Sequence, residues 1–485
     1  MADVDQFSAV MRHSLFAFVM RCFYQLNPAD EFQSNWHIRH LCWQLERVKR
    51  GEIKRLIINI PPRNLKSILT SVSFSAWLLG HDPTKRIMCV SYAEEFARQL
   101  SLDTRAVMQS DWFKRTFPNF GFGPRQRVMQ LETSKRGWRE AFGAGGSIMG
   151  KGADLIIVDD PIKAMDALSK PQRLRVQNFY DAQLYTRLND KSAGAIVIIM
   201  QRLHQDDLVG HVLARDDWTV VSIPAIAEEK ATFQLSADPG DIYVRPAGNV
   251  LHEAREPREV LEAARRTMGS MMFAAQYQQN PVPAGGNAIK REWLKYYTAR
   301  PARFDRIVVS WDTASTLRET SDYSVGTAWG AIGLDFYLLD VVRARWESPE
   351  LRRQIVQLSE RWKAHATLIE DTELGRATQQ ELRSTLRALT PRPKFDKESR
   401  LLAQAPRFEA GQVHLPQEAP WLAEYVSELL AFPNGKHDDQ VDSTSQALRY
   451  LTRSVQAAAP LVRRDIVRRD FQRRSVISSR QAEGI

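Results

Sequence analysis

The sequence predicts two α/β units in series, the first on a mostly parallel sheet. Three observations carry this reading. Apolar strands alternate with helical stretches from Arg55 to Ile223. A Pro- and Gly-bearing cluster occupies Gln276 to Gly286. Three strands, a helix, a strand and further helices then run from Arg306 to Tyr450. At 485 residues the chain is too long for one ordinary domain and long enough for two, each burying its own core.

From Trp36 to Arg50, Ile38, Leu41, Cys42, Leu45 and Val48 recur at helical spacing and stop at Gly51. A strand from Arg55 to Ile60 then runs into Pro61-Pro62-Arg63-Asn64-Leu65-Lys66-Ser67. Ile68, Leu69, Val72, Phe74 and Leu78 continue as a buried helix. Strand, turn, Lys-Ser, helix is the order a phosphate-binding loop needs. The helix N-terminal amides face the phosphates, Lys66 supplies charge and the Ser67 hydroxyl binds Mg²⁺. The pattern G-x-x-x-x-G-K-[ST] is met only in part, because Ile60 and Leu65 stand where the glycines belong. An isolated Lys-Ser is more often a plain strand-to-helix turn with an exposed lysine, so the reading depends on motifs further along the chain.

Lys85 to Tyr92 reads as a strand, Glu94 to Gln109 as a helix, and the glycine-rich Gly143 to Gly152 as a tight loop. Asp154 to Pro161 is an apolar strand ending in the carboxylates Asp159 and Asp160. A nucleotide site needs an acid there to hold Mg²⁺ and orient the attacking water. Ser169 to Asn189 reads as one helix, and Ala195 to Met200 as a buried strand delivering Gln201 and Arg202. His204, Asp206 and Asp207 fit a helix N-cap with acids in its first turn better than a metal site.

Pro-Pro-Arg-x-x-Lys-Ser, then Ile-Val-Asp-Asp-Pro, then Met200-Gln201-Arg202-Leu203-His204-Gln205-Asp206-Asp207-Leu208-Val209-Gly210 together resemble the large terminase subunit of tailed bacteriophages and prophages, an ATP-driven DNA-packaging motor. The resemblance implies an N-terminal P-loop ATPase domain. Arg63, Lys66, Ser67, Asp159 and Gln201 would bind nucleotide, Ser67 and Asp159 would hold one Mg²⁺, and Asp160 would act as the catalytic acid-base group. Gln201 would sense the γ-phosphate, while Arg202 or Arg63 would stabilise transition-state charge. Trp36 and Gln44 become candidates for the adenine contact, and the glycine run for a nucleotide- or DNA-facing loop. The sequence departs from many related motors in carrying Asp160 where they have Glu.

In the second half, Arg306 to Asp312 is a strand ending in an acid. Strands near Tyr323 to Ala331 and Asp335 to Val342 come next, then a helix with Ser348 as cap and Pro349 in its first turn. Thr367 to Glu370 is a fourth strand ending in an acid. A short strand around Gln412 to Leu415 precedes Gly435-Lys436-His437-Asp438-Asp439-Gln440-Val441-Asp442, which opens the last helix. This is the layout of an RNase H-like nuclease, in which carboxylates from separate elements converge on two metal ions about 3.5 to 4 Å apart. Asp312, Glu370 and Asp438 are the expected catalytic metal ligands for Mg²⁺ or Mn²⁺, with Asp439 the rival third ligand. Asp442 lies one turn further on, and Asp322 is an accessory candidate.

The predicted organisation is a motor domain over residues 1–280, a linker over 281–302, a nuclease domain over 303–452 and a basic tail over 453–485. The tail is arginine-rich, with Arg463, Arg464, Arg468, Arg469, Arg473 and Arg474, and reads either as a solvated segment or as a docking one. The formal charge of +10 favours a polyanionic partner. Cys22, Cys42 and Cys89 form no Cys-x-x-Cys pair and fit a reducing compartment, and no apolar run suits a signal or a bilayer span. The resemblance adds the expected partners: double-stranded DNA, a small terminase subunit, the portal of the procapsid, and copies of the chain in a ring. It places the protein in the host bacterial cytoplasm, docked transiently on the portal and not a stable part of the mature virion. A capsid-independent repair or recombination ATPase-nuclease, and a non-catalytic assembly adaptor, are the alternatives; stimulation by procapsids and metal-dependent cutting distinguish them.

Overall fold

The computed structural model describes residues 2–146, 148, 150–281, 288–313, 323–393, 395–434 and 438–458. Its contacts divide the chain into two compact units, Met1–Gly285 and Gly286–Ile485. Asp322, most of the basic tail and residues 282–287 of the expected linker lie outside the described residues.

The first unit opens with α1 (Ala2–His13), α2 (Leu15–Leu26) and α3 (Trp36–Lys49). An eight-stranded sheet comes after them: β1 (Arg55–Asn59), β2 (Arg86–Ser91), β3 (Phe122–Arg127), β4 (Gln130–Thr133), β5 (Trp138–Gly143), β6 (Leu155–Asp159), β7 (Ala195–Met200) and β8 (Thr219–Ser222). The strand order is β3-β4-β5-β2-β6-β7-β1-β8. All pairings from β5 to β8 are parallel, and β3 and β4 extend the edge as antiparallel strands. Alternation along β1 explains why both faces are covered. Leu56 and Ile58 enter one apolar cluster with α2, α3 and the segment after the loop, whereas Ile57 enters the other with Ile156, Val158, Ile196 and Ile198. The connecting helices are α4 (Ser75–His81), α5 (Glu94–Gln109), α6 (Asp111–Thr116), α7 (Lys170–Phe179) and α8 (Leu208–Leu213).

Two readings change here. The helix expected from Ser169 to Asn189 is α-helical only through Phe179. A wide π-turn, Tyr180–Leu184, and a 3₁₀ turn, Tyr185–Arg187, replace the rest, so that Tyr180 and Leu184 both reach the core. The weakly periodic stretch after Ala225 holds a hairpin, β9 (Ala231–Gln234) with β10 (Ile242–Arg245), and two helices, α9 (Arg258–Met268) and α10 (Ser270–Gln276). The three cysteines are free and buried in this unit.

The second unit is built on β11 (Lys295–Tyr297), β12 (Arg306–Asp312), β13 (Ser324–Ile332), β14 (Asp335–Ala344), β15 (Ala366–Ile369), β16 (Ala388–Leu389) and β17 (Val413–Pro416), in the order β11-β17-β14-β13-β12-β15-β16. β11 lies within the stretch read as linker and pairs with β17 as an edge strand. β12, β13 and β14 are antiparallel neighbours, and β15 joins β12 in parallel, as expected for an RNase H-like fold. α11 (Ser348–Arg361) packs Leu351, Ile355 and Leu358 against Val309, Trp311 and Ile369. Its N-cap is Glu347 rather than Ser348, which is already helical. α12 (Glu373–Leu382), α13 (Lys397–Leu402), α14 (Ala405–Glu409) and α15 (Leu422–Ala431) lead to α16 (Asp439–Ala458). Ser443 Oγ on α16 bonds Ser310 O at 2.7 Å, tying this helix to β12. Among the described residues no helix is long and apolar enough to cross a membrane.

Candidate active sites

In the first unit, β1, β6 and β7 end on the same edge of the sheet and bring the predicted residues together. Lys66 is buried; its Nζ lies 2.7 Å from Asp160 Oδ2 and donates to Gln201 Oε1 at 3.1 Å. Ser67 Oγ donates to Asp159 Oδ1 at 3.0 Å. Ser71, one helical turn on and not singled out in the sequence, donates to Asp159 Oδ2 at 2.6 Å. A π-helix over Ile68–Phe74 carries Ser71, and the fully buried Arg139 of β5 holds the Ser71 carbonyl at 3.0 Å through its terminal nitrogen. Burial first, and the Asp160 charge second, push the Asp159 carboxyl up to about 7, against hydrogen bonds from Ser71 and Ser67 and the Lys66 charge. A hydroxyl and a carboxylate held side by side fit a Mg²⁺ that takes oxygen ligands.

The loop reaches its shape without glycine. Arg63 and Leu65 sit at φ of 63° and 57°, and Asp160 at 44°. Leu65 thus takes the left-handed conformation at the position where the standard pattern has glycine. Arg63 is exposed, and its carbonyl is bound by Arg255. Arg202 is committed elsewhere: its Nε lies 3.0 Å from Asp207 Oδ2, and Asp207 N-caps α8 by accepting from Gly210 N at 3.0 Å. Asp207 is therefore the cap expected in the His204 to Asp207 group, but the expected acids of the first turn are absent, since Asp206 and Asp207 both precede Leu208. The glycine run begins at the end of β5, where Ala144 N donates to Ser91 O at 2.7 Å, on the same sheet edge as Asp159.

Neither adenine candidate lines the cavity beside the loop. Trp36 stacks on Tyr243 of β10 at 4.7 Å, and buried Gln44 accepts from Arg47 at 3.1 Å. The cavity, about 330 Å³, is lined instead by residues that include Phe23, Gln33, His37, Leu65, His252 and Arg255. Burial, reinforced by His252, Arg255 and Arg245, lowers the His37 pKa to about 3, so its ring is neutral.

In the second unit Asp312 ends β12, Glu370 comes directly after β15, and Asp438, Asp439 and Asp442 stand at the start of α16. Burial, then a hydrogen bond to Glu370 and the charges of Glu370 and Asp442, hold the Asp312 carboxyl well above the usual carboxylate range. Lys397 Nζ lies 2.8 Å from both Asp438 Oδ1 and Asp442 Oδ2. Arg400 lies 2.8 Å from Asp442 Oδ1 and 3.5 Å from Glu370 Oε1. Asp442 is thus the α16 acid tied to Glu370, and it is pushed up to about 6 mainly by burial. Asp439 is pushed up to about 6 by burial and then by Glu428 and Asp438. With these two cations among the acids, no group of three or more His, Cys, Asp or Glu among the described residues is drawn together tightly enough to hold a metal. The donor chemistry itself, all carboxylate oxygen, suits Mg²⁺ or Mn²⁺. The sequence missed Lys397 and Arg400; their i, i+3 spacing behind the capping Asp396 was the available signal.

Comparison with known proteins agrees with this architecture. Residues 309–451 match the family model described as the terminase RNaseH-like domain. The large terminase from a thermophilic bacteriophage, in complex with ADP, aligns at 12% identity over 83% of this chain and 97% of that one, with a TM-score of 0.50. Another crystal form of the same phage protein aligns at 10% identity over 84% and 98%, with a TM-score of 0.52. Its complex with ATP-gamma-S aligns at 11% identity over 83% and 97%, also at 0.50. No curated protein matches the chain.

Proposed function

From a chain that has the fold of the phage large terminases and carries their RNase H-like domain at residues 309–451, we propose an ATP-driven DNA-packaging motor with a metal-dependent endonuclease. The observation that carries the motor is the Lys66 ammonium held between Asp160 and Gln201, with Ser67 and Asp159 paired beside it. Phosphate oxygens of ATP compete for Lys66. Its departure from Asp160 leaves that carboxylate free to accept a proton from the attacking water, and Gln201 is left to orient the water against the γ-phosphate. Ser67 and Asp159 would hold the Mg²⁺, which when bound neutralises phosphate charge. The cavity beside Leu65 would take the base.

In the second unit Asp312, Glu370 and the acids of α16 would hold the nuclease metals, which when bound activate water and stabilise the leaving oxygen. Lys397 and Arg400 must yield those carboxylates first. The proposed cargo is concatemeric double-stranded DNA, moved through the portal into a procapsid by a ring of copies in the host cytoplasm, with a small terminase subunit assisting.

Asp159→Asn and Asp312→Asn test this together. The first should stop phosphate release with portal-bearing procapsids and spare Mn²⁺-dependent plasmid linearisation. The second should do the reverse. Loss of both activities in either variant overturns the assignment of two separable sites, and absence of both in the wild type overturns the function.

A further inference from the structure

The phosphate loop holds two left-handed residues with side chains and has no glycine between Asn59 and Ser67. A backbone in that conformation is disfavoured for any residue with a Cβ and persists only where its surroundings enforce it. Within the loop, Asn64 is 1% exposed and donates from Nδ2 to the carbonyls of Pro61 and Pro62, at 3.2 and 3.1 Å. Its remaining acceptor, Oδ1, receives a hydrogen bond from a terminal nitrogen of Arg255 at 3.0 Å. The other terminal nitrogen of Arg255 bonds the carbonyl of Arg63, one of the two left-handed residues. Arg255 comes from a turn some 190 residues away, closed by Arg255 N and Glu256 N on the His252 carbonyl at 3.1 and 2.9 Å. Glu256 pairs with the same guanidinium at 2.9 Å and fixes its direction. A planar fork with several donors suits this task, since one side chain meets two acceptors at a set separation.

We propose that Arg255 is a positioning residue for ATP binding. It supplies, through Asn64 and the Arg63 carbonyl, the restraint that glycines supply elsewhere in phosphate loops. This rests on the reading of residues 60–67 as the nucleotide site. Arg255 acts on the loop, not on the phosphates. Its removal weakens nucleotide affinity more than it slows turnover of bound ATP, because Lys66, Asp160 and Gln201 are untouched and only the population of the competent loop falls.

The test uses the full chain, Mg²⁺ and a fluorescent ATP analogue, with ATP hydrolysis measured alongside. Arg255→Ala should raise the dissociation constant about 10-fold and lower kcat by less than about 3-fold. Asn64→Ala should do the same, and the double variant should be no worse than either single one, because both break one restraint. Leu65→Gly in the Arg255→Ala background should recover part of the lost affinity. Multiplicative losses of about 100-fold in the double variant, or a kcat loss exceeding the affinity loss, would overturn the proposal. So would an unchanged affinity in Arg255→Ala. A wild-type chain that binds no nucleotide would instead overturn the nucleotide-site reading itself.

Discussion

The Lys397 ammonium lies 2.8 Å from Asp442, a residue one helical turn beyond Asp438, which the same lysine also meets at 2.8 Å. Of the two acids, Asp442 is the more enclosed, with its side chain 2% exposed against 38%, and it also shares Arg400 with Glu370. We expect Asp442→Asn to abolish plasmid linearisation and to weaken Mn²⁺ binding more than about 100-fold, the upper end of what outer-shell changes cost. Asp439→Asn, whose neighbours include Glu428, should retain cutting. Calorimetric titration with Mn²⁺ decides the matter. Near-wild-type binding in Asp442→Asn would return the third ligand to Asp438.

Ser71 should matter to ATP turnover although no nucleotide motif includes it. Its hydroxyl bonds Asp159 Oδ2 at 2.6 Å, and a bond to a charged acceptor is worth about 1.5 to 3 kcal/mol. Ser71→Ala is expected to slow steady-state hydrolysis roughly 10- to 100-fold without changing the circular dichroism spectrum. Full activity would show that Ser67 alone orients Asp159.

His37 sets an acid limit on the first unit. Its pKa is about 3 in the folded chain against an ordinary value of 6.5, because burial and the nearby His252, Arg255 and Arg245 disfavour the imidazolium. Between those values the unfolded chain binds a proton that the folded chain refuses. Stability is therefore unaffected above about pH 6.5 and falls as pH drops through the window, by at most ~1.4 kcal/mol per unit. In His37→Gln the fall in Tm between pH 7 and pH 5 should shrink by roughly 4 to 8 °C. His252, also lowered by burial, would keep part of the loss. An identical fall in both proteins would refute the assignment.

Gly326 lies where a Cβ would stand 2.6 Å from the Trp311 ring, and Trp311 is fully buried beside Asp312. Gly326→Ala should destabilise the second unit by about 1 to 3 kcal/mol through overpacking. Scanning calorimetry should show that unit's transition moving down while affinity for nucleotide stays the same.

The parts of the fold visible in the sequence were those where an apolar run ends abruptly in a polar residue. β6 with Asp159, β7 with Gln201 and β12 with Asp312 have that form, and β1 feeds the loop that carries Lys66; each of these strands has a parallel neighbour, and parallel pairs place chemistry at their carboxyl ends. What was hidden depends on contacts distant in sequence. Arg255 reaches the loop across 191 residues, and Lys397 reaches Asp438 across 41. No periodicity encodes either. α9 was missed although Leu261, Ala264 and Met268 recur at helical spacing along it and join one apolar cluster with Phe273 and Tyr277; that stripe was legible in the sequence. Arg202 looked like a free cation because the Asp207 that neutralises it also serves as a helix cap, and the sequence shows only the second role.

Burial of all three cysteines has a practical consequence. Their thiols are held above the ordinary range by desolvation, that of Cys22 at about 12, and the thiolate is the species that reacts with maleimides. The folded protein therefore offers almost no reactive sulfur of its own. Glu95 and Arg392, with side chains 83% and 91% exposed, stand in the first and second units respectively. A Glu95→Cys, Arg392→Cys protein could carry a donor and an acceptor dye on an otherwise native sequence, with Cys22, Cys42 and Cys89 left to fill the core. Energy transfer between the dyes would then report whether the separation of the two units changes when ATP is added.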